Sequence, residues 1–260
     1  MKIHIRFYEE LNDHLSENQK KKELLYEVQQ STTVKDAIES FGVSHTEVDL
    51  ILVNGDSRPF SYLLKDNDRV SVFPMFESMD ITSVTLLRNH PLRERRKEPM
   101  AFIVDLNLGK LAHFMRMLGF DVLYDTKLRD DELLAKLSKE QNRILLTRDR
   151  GLLKRKNVDH GYFVRSTRPT TQTIEVLKRF DMMNLVNLCS RCLHCNNPLQ
   201  SISKEQVLEE LPPQVAEGYQ TFYFCPHCER IYWEGTHFEH MRSMYHHLQQ
   251  EYAREHFLAG

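Results

Sequence analysis

The fold of the central part of this 260-residue chain is decided by residues 102–125, FIVDLNLGKLAHFMRMLGFDVLYD. The segment opens with a short apolar strand that stops at Asp105. Apolar side chains then recur at the spacing of one helix face over residues 110–118, and Gly119 marks the helix end. The run FDVLYD is typical of a second strand. A strand, a helix and a strand in this order predict a parallel β-sheet that is covered by helices.

The next segment, residues 130–156, repeats the pattern with the sequence DDELLAKLSKEQNRILLTRDRGLLKRK. It contains a helix that begins with acids, where the helix dipole favours them, and a third strand that ends at Asp149. The runs GYFVRS and TTQTIEVLKRF add a fourth strand and another helix. The sequence therefore predicts an α/β domain with a mostly parallel sheet over residues 100–187.

Four aspartates lie where such a sheet carries functional groups. Asp105 and Asp149 directly follow apolar strands, at the carboxyl edge of the predicted sheet, and Asp130 and Asp131 begin a helix. Carboxylates that converge need a cation, and hard oxygen ligands favour Mg²⁺ or Mn²⁺. Such an ion activates water for attack on a phosphodiester. The alternative is that the acids after the strands are turn residues and that Asp131 caps its helix.

The charge of the chain is unevenly distributed. Residues 81–187 contain twenty-one Lys and Arg against thirteen Asp and Glu, whereas residues 1–80 contain nine against fifteen. Residues 188–260 contain five against nine. Clustered Lys and Arg attract phosphate backbones, although they also occur as plain solvated surface. Residues 81–99 are predicted to be a basic linker or an extra basic arm. Five residues are candidates for nucleic-acid contact: Arg148, Arg150, Lys154, Arg155 and Lys156.

Four of the five cysteines form two CxxC pairs, Cys192 with Cys195 and Cys225 with Cys228. Two intervening residues let both sulfurs of a pair reach one tetrahedral ion. Four thiolates leave no position open for water, so we expect a structural zinc ion in a zinc ribbon over residues 188–260. The alternatives are reduced structural cysteines and a redox dithiol. Cys189 is expected to be an ordinary thiol.

Other side chains of the ribbon region are weaker candidates. Six histidines are possible further ligands, of which the first two lie inside the CxxC pairs: His194, His227, His237, His240, His246 and His247. Four sulfurs already suffice for zinc, so His194 and His227 are not expected to be ligands. The four later histidines are candidates for a second metal site, but we expect them to be exposed or to face nucleic acid. Three aromatic residues are expected to pack the ribbon, with base stacking as the alternative: Tyr223, Tyr232 and Trp233.

The central segments, together with VRSTRP at residues 164–169, closely resemble the Mut-seven C-terminal RNase family, a branch of the PIN-like nucleases. TRDRGLLKR at residues 147–155 and the double CxxC are the most specific parts of the resemblance. The resemblance covers nearly the whole chain, because the family is found with a ubiquitin-like domain in front and a zinc ribbon behind. It implies cleavage of RNA by clustered acids with Mg²⁺ or Mn²⁺.

The resemblance also assigns roles to individual acids. Asp105 matches the first acid of the family, and Asp149 matches the acid at the T-x-D strand end. Asp131 is the match for the helix acid, with Asp130 beside it, and Asp125 is a candidate for a fourth acid.

Residues 1–80 have the pattern of a β-β-α-β-β domain. KIHIRFY at residues 2–8 alternates apolar and polar residues, as half-buried strands do, and residues 22–29 give a second strand. Ser31, Thr32 or Thr33 is expected to cap a helix that ends at Gly42. An Asn-Gly turn follows the next strand. The order predicts a ubiquitin-type β-grasp fold.

This domain resembles the sulfur carriers of thiamine and molybdopterin synthesis through VNG at residues 53–55 and LLKDNDRVSVFP at residues 63–74. Those carriers end in a free Gly-Gly, whereas here the chain continues without one. We therefore expect an appended binding domain rather than sulfur transfer.

The sequence favours a metal-dependent ribonuclease with RNA as substrate and a protein partner for its ubiquitin-like domain. No apolar run approaches the roughly 18 residues that span a bilayer, and no signal-peptide core is present, so a cytoplasmic protein without membrane contact is expected. One alternative is an inactive RNA-binding adaptor. The other is a protein-interaction module or toxin-like regulator that is governed by the acidic N-terminal domain.

Overall fold

The computed structural model describes residues 1–76, 80–87 and 100–257. The chain forms two compact units: Met1–Met100 with Arg129–Phe163, and Ala101–Leu128 with Val164–Gly260. The predicted basic linker falls largely on residues 88–99, which lie outside the described residues. Its first part, residues 81–87, packs on the N-terminal domain, where Ile81 is buried and the Thr85 hydroxyl donates to Asp49 O at 2.6 Å.

The first unit begins with a five-stranded sheet and one α-helix: β1 Lys2–Phe7, β2 Leu24–Glu27, α1 Val34–Ser40, β3 Leu50–Val53, β4 Asp56–Ser57 and β5 Arg69–Phe73. The strand order is β2-β1-β5-β3-β4. Strands β1 and β5 are parallel, and the other neighbours are antiparallel. This mixed sheet, with the helix inserted after the first hairpin, confirms the predicted β-grasp fold.

Local chemistry explains the turns of this domain. The Thr33 hydroxyl accepts the Asp36 N–H at 3.2 Å, so Thr33 is the cap among the three candidates. Asn54 and Gly55 both have positive φ, 54° and 92°, as the tight hairpin turn between β3 and β4 requires. The inward-facing residues of β1 and β5 alternate along each strand and form the centre of the core: Ile3, Ile5, Phe7, Val70 and Val72.

The first unit continues with α3 Asp131–Glu140, β8 Ile144–Thr147, α4 Arg150–Leu153 and β9 Gly161–Phe163, in which β8 and β9 are parallel. Residues after β8 pack on the N-terminal domain of the same unit. The Ser44 hydroxyl donates to Leu153 O at 3.1 Å, and the His45 ring nitrogen Nε2 lies 3.1 Å from Val158 O. The β-grasp domain is therefore attached through direct polar contacts.

The second unit contains the other central elements: β6 Ala101–Val104, α2 Gly109–Met117, β7 Asp121–Leu123 and α5 Pro169–Arg179. Strands β6 and β7 are parallel, and α2 packs on α5 through its buried face. Gly119, after α2, has a φ of 94°, and a Cβ there would lie 2.2 Å from Asn187 O. The mostly parallel sheet that the sequence predicts for the central α/β region is confirmed by the parallel pairs β6–β7 and β8–β9.

The rest of this unit is the ribbon: β10 Gln200–Ile202, α6 Lys204–Val207, α7 Pro213–Gly218, β11 Phe222–Phe224, β12 Ile231–Trp233 and α8 Thr236–Phe257. Its three strands form an antiparallel sheet in the order β10-β11-β12. Helices α6 and α7 are the insertion between the two CxxC pairs. Among the described residues, no helix combines the length and apolar character needed to cross a membrane.

Candidate metal centre and acidic residues

The four CxxC sulfurs form one cluster, in which all lie within 4.8 Å of one another. Cys195 Sγ is 3.3 Å from Cys225 Sγ and 3.7 Å from Cys228 Sγ, and Cys192 Sγ is 3.5 Å from Cys228 Sγ. Zinc–sulfur bonds of about 2.3 Å at tetrahedral angles place sulfurs roughly 3.8 Å apart. The cluster therefore fits one tetrahedral zinc ion, as the CxxC spacing predicts.

Both CxxC turns have the same backbone structure. In each, the N–H of the first cysteine donates to the carbonyl five residues on, and the N–H four residues on donates back, all at 2.9 Å. The residue after the second cysteine, Asn196 or Glu229, has a positive φ of 67° or 56°. Two equivalent turns present their sulfurs to a common point, which is the arrangement of paired zinc knuckles.

The thiol environments differ within the cluster. Burial opposes ionisation of Cys192, but hydrogen bonds from the Cys195 N–H and the Tyr232 hydroxyl outweigh it and lower the pKa of Cys192 to about 6. Burial raises the pKa of Cys228 to about 12. Four thiolates at this distance are therefore stable together only when a cation balances their charge.

Tyr232→Phe is expected to lower zinc affinity by roughly tenfold or more, which is the usual effect of removing a hydrogen-bond partner from a metal ligand. The Tyr232 hydroxyl lies 3.0 Å from Cys192 Sγ, and its loss makes protonation of that thiolate easier. Zinc release should therefore move to higher pH, as a chromogenic chelator can measure across mildly acidic buffers. Tyr223→Phe is the matched control, because that hydroxyl is 3.4 Å from Glu234 instead. Equal release from both variants would contradict the prediction.

The CxxC turn of Cys192 and Cys195, here called the first knuckle, is anchored to the α/β elements of its unit by a buried arginine. Arg116 Nε donates to Val122 O at 3.0 Å, and its Nη2 donates to Tyr124 O at 3.1 Å. Its Nη1 donates to Leu193 O at 3.3 Å and to His194 O at 3.0 Å, inside the CxxC turn. Burial lowers the pKa of Arg116, but an arginine stays charged at neutral pH.

Asn196 makes a second link between the knuckle and β7. Its Oδ1 accepts the Val122 N–H and its Nδ2 donates to Asp121 Oδ1, both at 2.9 Å. Arg191 pairs with the same Asp121 at 3.3 Å and donates to Asn196 O at 2.9 Å. The side chains of Asn196 and Arg191 thus fix the first CxxC turn, and with it the metal centre, to β7.

Arg116→Lys is expected to destabilise the protein by about 2–4 kcal/mol, because an ammonium cannot reach four carbonyls that a planar guanidinium satisfies. Urea unfolding measures the change. Arg168→Lys, at an exposed position, is the matched control and should stay within about 0.5 kcal/mol of the parent. Similar small effects for both variants would show that the arginine does not anchor the knuckle.

The remaining cysteine and the histidines whose side chains the structure describes are not part of the cluster. Burial raises the pKa of Cys189 to about 11, so it stays a neutral thiol. Within the described residues, the four cysteines are the possible metal ligands that lie close enough together to bind one ion. His246 is near Gln249 at 3.2 Å, and His247 pairs with Glu251 at 3.3 Å. The side chain of His237 lies outside the described set.

Two of the predicted acids cap helices. Asp149 Oδ1 accepts the N–H groups of Gly151 at 2.6 Å and Leu152 at 3.3 Å, at the start of α4. Asp130 Oδ1 accepts the Glu132 N–H at 2.8 Å, at the start of α3. Both side chains are exposed, and each cap uses one carboxylate oxygen. Helix capping is therefore a role of both residues, and the cap of α3 is Asp130 rather than the predicted Asp131.

The other acids are placed differently. Asp131, the first residue of α3, has its Oδ2 3.7 Å from Arg155, and both side chains are partly exposed. Asp105 is buried at the end of β6 and makes no capping bond to the 3-10 turn Leu106–Leu108 that follows. Asp125 is exposed, and its Oδ1 accepts the Lys127 N–H at 2.9 Å. The catalytic assignment of these acids stays a prediction.

The predicted nucleic-acid contacts have mixed environments. Lys154 Nζ donates to Glu39 O of the β-grasp domain at 2.7 Å. The Arg150 guanidinium lies 5.1 Å from the centre of the Phe163 ring. Three of the five side chains are exposed: Arg150, Arg155 and Lys156. The other two, Arg148 and Lys154, are half-buried.

Sequence reasoning missed the partners of the metal centre. Arg116 interrupts the apolar run HFMRML, and a lone charge on an apolar helix face is a signal of a buried polar contact. Side chains alternate between the two faces of β12, so the Tyr232 side chain lies on the face opposite to that of Ile231 and Trp233. Neither signal identifies the partner.

Comparison with protein families agrees with this structure. A model for the Mut7-C RNAse domain matches residues 100–245, and a model for Mut7-C ubiquitin matches residues 1–80. Searches of curated proteins and of solved structures gave no match. The first model spans β6 to β9, both CxxC turns and the start of α8, which is more than half of the chain. The resemblance found in the sequence is confirmed, and the chain belongs to the Mut7-C RNAse domain family, with a Mut7-C ubiquitin-like domain at its N-terminal end.

Proposed function

We propose that the protein is a metal-dependent ribonuclease that cleaves RNA phosphodiester bonds. The observation that carries the proposal is the RNAse-domain match over residues 100–245. Asp105, Asp131 and Asp149 are proposed to hold a Mg²⁺ or Mn²⁺ ion, with Asp130 as an alternative to Asp131. When bound, that ion supplies activation of water and charge stabilisation of the leaving oxygen.

The donor chemistry of these residues supports a hard cation, because all four side chains are carboxylates. Helix capping does not compete with this role. The N–H groups at the start of α4 bind Oδ1 of Asp149, and Oδ2 has no hydrogen bond among the described residues. A carboxylate with one oxygen fixed by a helix N-terminus is oriented before it binds a metal ion.

The remaining parts have supporting roles in this proposal. Arg150, Arg155 and Lys156 present exposed positive charge for the phosphate backbone. The four-cysteine cluster holds a structural zinc ion, since its four thiolates leave no coordination position for water. The ubiquitin-like domain binds a protein partner. Reduced zinc thiolates fit a cytoplasmic location.

The test is an RNA cleavage assay with the zinc-loaded protein. Single-stranded and hairpin RNAs are incubated with Mn²⁺, with Mg²⁺ and with neither, because excess chelator would also remove the proposed zinc ion. Cleavage that requires an added divalent ion is expected, and its products show where the chain is cut. Cleavage that is equally fast without added metal would overturn the metal-dependent mechanism.

One observation favours a second candidate, the inactive RNA-binding adaptor. Asp149 and Asp130 already have a structural role as caps, which would preserve them without catalysis. The same assay separates the two candidates, since an adaptor retains RNA but releases no products under any metal condition.

A further inference from the structure

The ribbon contains a cavity of about 450 Å³ that the proposed function does not use. Its walls include the aromatic rings of Tyr219 and Trp233, and Gly235 lies close to both rings. Gln214 and Thr236 are exposed lining residues with polar side chains. Cavities of this size accommodate a small organic ligand.

The ribbon core holds one wall of the cavity in place. Trp233 ends β12, is paired across the sheet with Phe222, and packs against the buried side chains of Val207 and Leu211. Tyr219 directly follows α7 with an extended backbone, and its ring packs on the same core. Neither ring stacks on another aromatic ring in the part of the chain that the structure describes. Both keep a partly exposed face.

Gly235 lets the indole of Trp233 lie directly against the backbone just before α8. A Cβ at this position would lie 2.6 Å from the indole Nε1 of Trp233 and 3.4 Å from Cζ of Tyr219. The backbone does not require glycine there, since the positive-φ glycines of the described residues are Gly42, Gly55 and Gly119. The missing side chain therefore matters for the position of the Trp233 ring, which forms part of the cavity wall.

The chemistry of the lining suits a nucleobase. A base has two aromatic faces and a hydrogen-bonding edge, and unstacked RNA bases are bound by aromatic rings together with polar side chains. The amide of Gln214 and the hydroxyl of Thr236 both donate and accept. A phosphate is a poor occupant of the cavity itself, because none of its described lining residues is a Lys or an Arg.

We propose that this cavity binds one unstacked nucleobase of single-stranded RNA. The proposal rests on the RNA substrate of the proposed function, but not on catalysis. It gives the ribbon a second role besides structure, as a contact for the RNA strand.

The test uses Trp233, the one tryptophan of the chain, as a fluorescent reporter. Full-length zinc-loaded protein is titrated with a single-stranded RNA octamer without Mg²⁺ or Mn²⁺, so that no cleavage follows. An abasic octamer of equal charge and a short aromatic peptide are the comparison ligands. Saturable quenching by the RNA octamer alone is expected. Equal quenching by the abasic strand, quenching by the peptide only, or none at all would overturn the proposal.

Two variants sharpen the result. Gly235→Val displaces the Trp233 ring from its place against the backbone and is expected to lower octamer affinity by roughly tenfold or more, in line with the loss of one stacked base. Gln214→Ala alters an exposed lining residue without touching the core, and should lower affinity by about two- to fivefold. Zinc content and melting temperature show whether each variant is folded. Unchanged affinity in a folded Gly235→Val protein, or in Gln214→Ala, overturns the assignment.

The two proposals fail separately. Metal-dependent cleavage without base-specific quenching leaves the nuclease and removes the base cavity. Base-specific quenching without cleavage leaves the cavity and removes the nuclease.

Discussion

Asp149→Asn is expected to lower the rate of metal-dependent RNA cleavage by at least about 100-fold, since a neutral amide is a far weaker ligand for Mg²⁺ or Mn²⁺. The fold should be unaffected. Asparagine caps helices as well as aspartate does, so the bonds to the N–H groups of Gly151 and Leu152 persist. Single-turnover cleavage measures the first effect, and thermal melting measures the second.

Two further variants separate catalysis from capping. Asp159→Asn makes the same change at an exposed acid that pairs with Lys139 at 3.6 Å, and should cleave RNA at the parent rate. Asp149→Ala removes both roles and should also cost about 1 kcal/mol of stability. If Asp149→Asn cleaves as fast as Asp159→Asn, Asp149 is a cap and not a metal ligand.

Cys225→Ser is expected to abolish stoichiometric zinc binding and to unfold the ribbon. Cys225 is buried, its sulfur lies 3.3 Å from Cys195 Sγ, and a serine hydroxyl is a poor substitute for a thiolate. Structural zinc contributes on the order of 10 kcal/mol to the folding of small zinc domains at neutral pH. Zinc per chain, and a shift of Trp233 emission towards that of a solvated indole, are the measurements.

Cys189→Ser is the matched control. Cys189 is partly buried, its pKa is raised to about 11 by burial, and it lies outside the sulfur cluster. This variant should keep one zinc ion per chain and the parent emission spectrum. Equal zinc loss from both variants would show that the cysteine assignment is wrong.

The sequence predicted those parts that follow from local rules. The alternation in KIHIRF gives β1, because every second side chain must face the core. Asn54 and Gly55 give the hairpin because both adopt positive φ. The CxxC spacing gives the sulfur cluster because a tight turn is enough to place two sulfurs together.

The parts that the sequence did not predict depend on distant contacts. Arg116 and the first knuckle are more than seventy positions apart, and no local pattern specifies their pairing. Helix α4 is four residues long and lies in a basic run without helical periodicity. Lys154 belongs to the predicted RNA surface by charge, yet its ammonium is bound by the β-grasp domain.

The link between the knuckle and β7 has a consequence for self-association. Strand β7 ends its sheet, and such strands recruit other chains through unpaired backbone groups. Here the N–H and the carbonyl of Val122 are both occupied, by Asn196 and by Arg116. Zinc-depleted protein would lose the Asn196 contact, and the Val122 N–H at the edge of the sheet would then be open to pairing with another chain. Under metal starvation this chain is therefore expected to aggregate by strand pairing before its sheet unfolds.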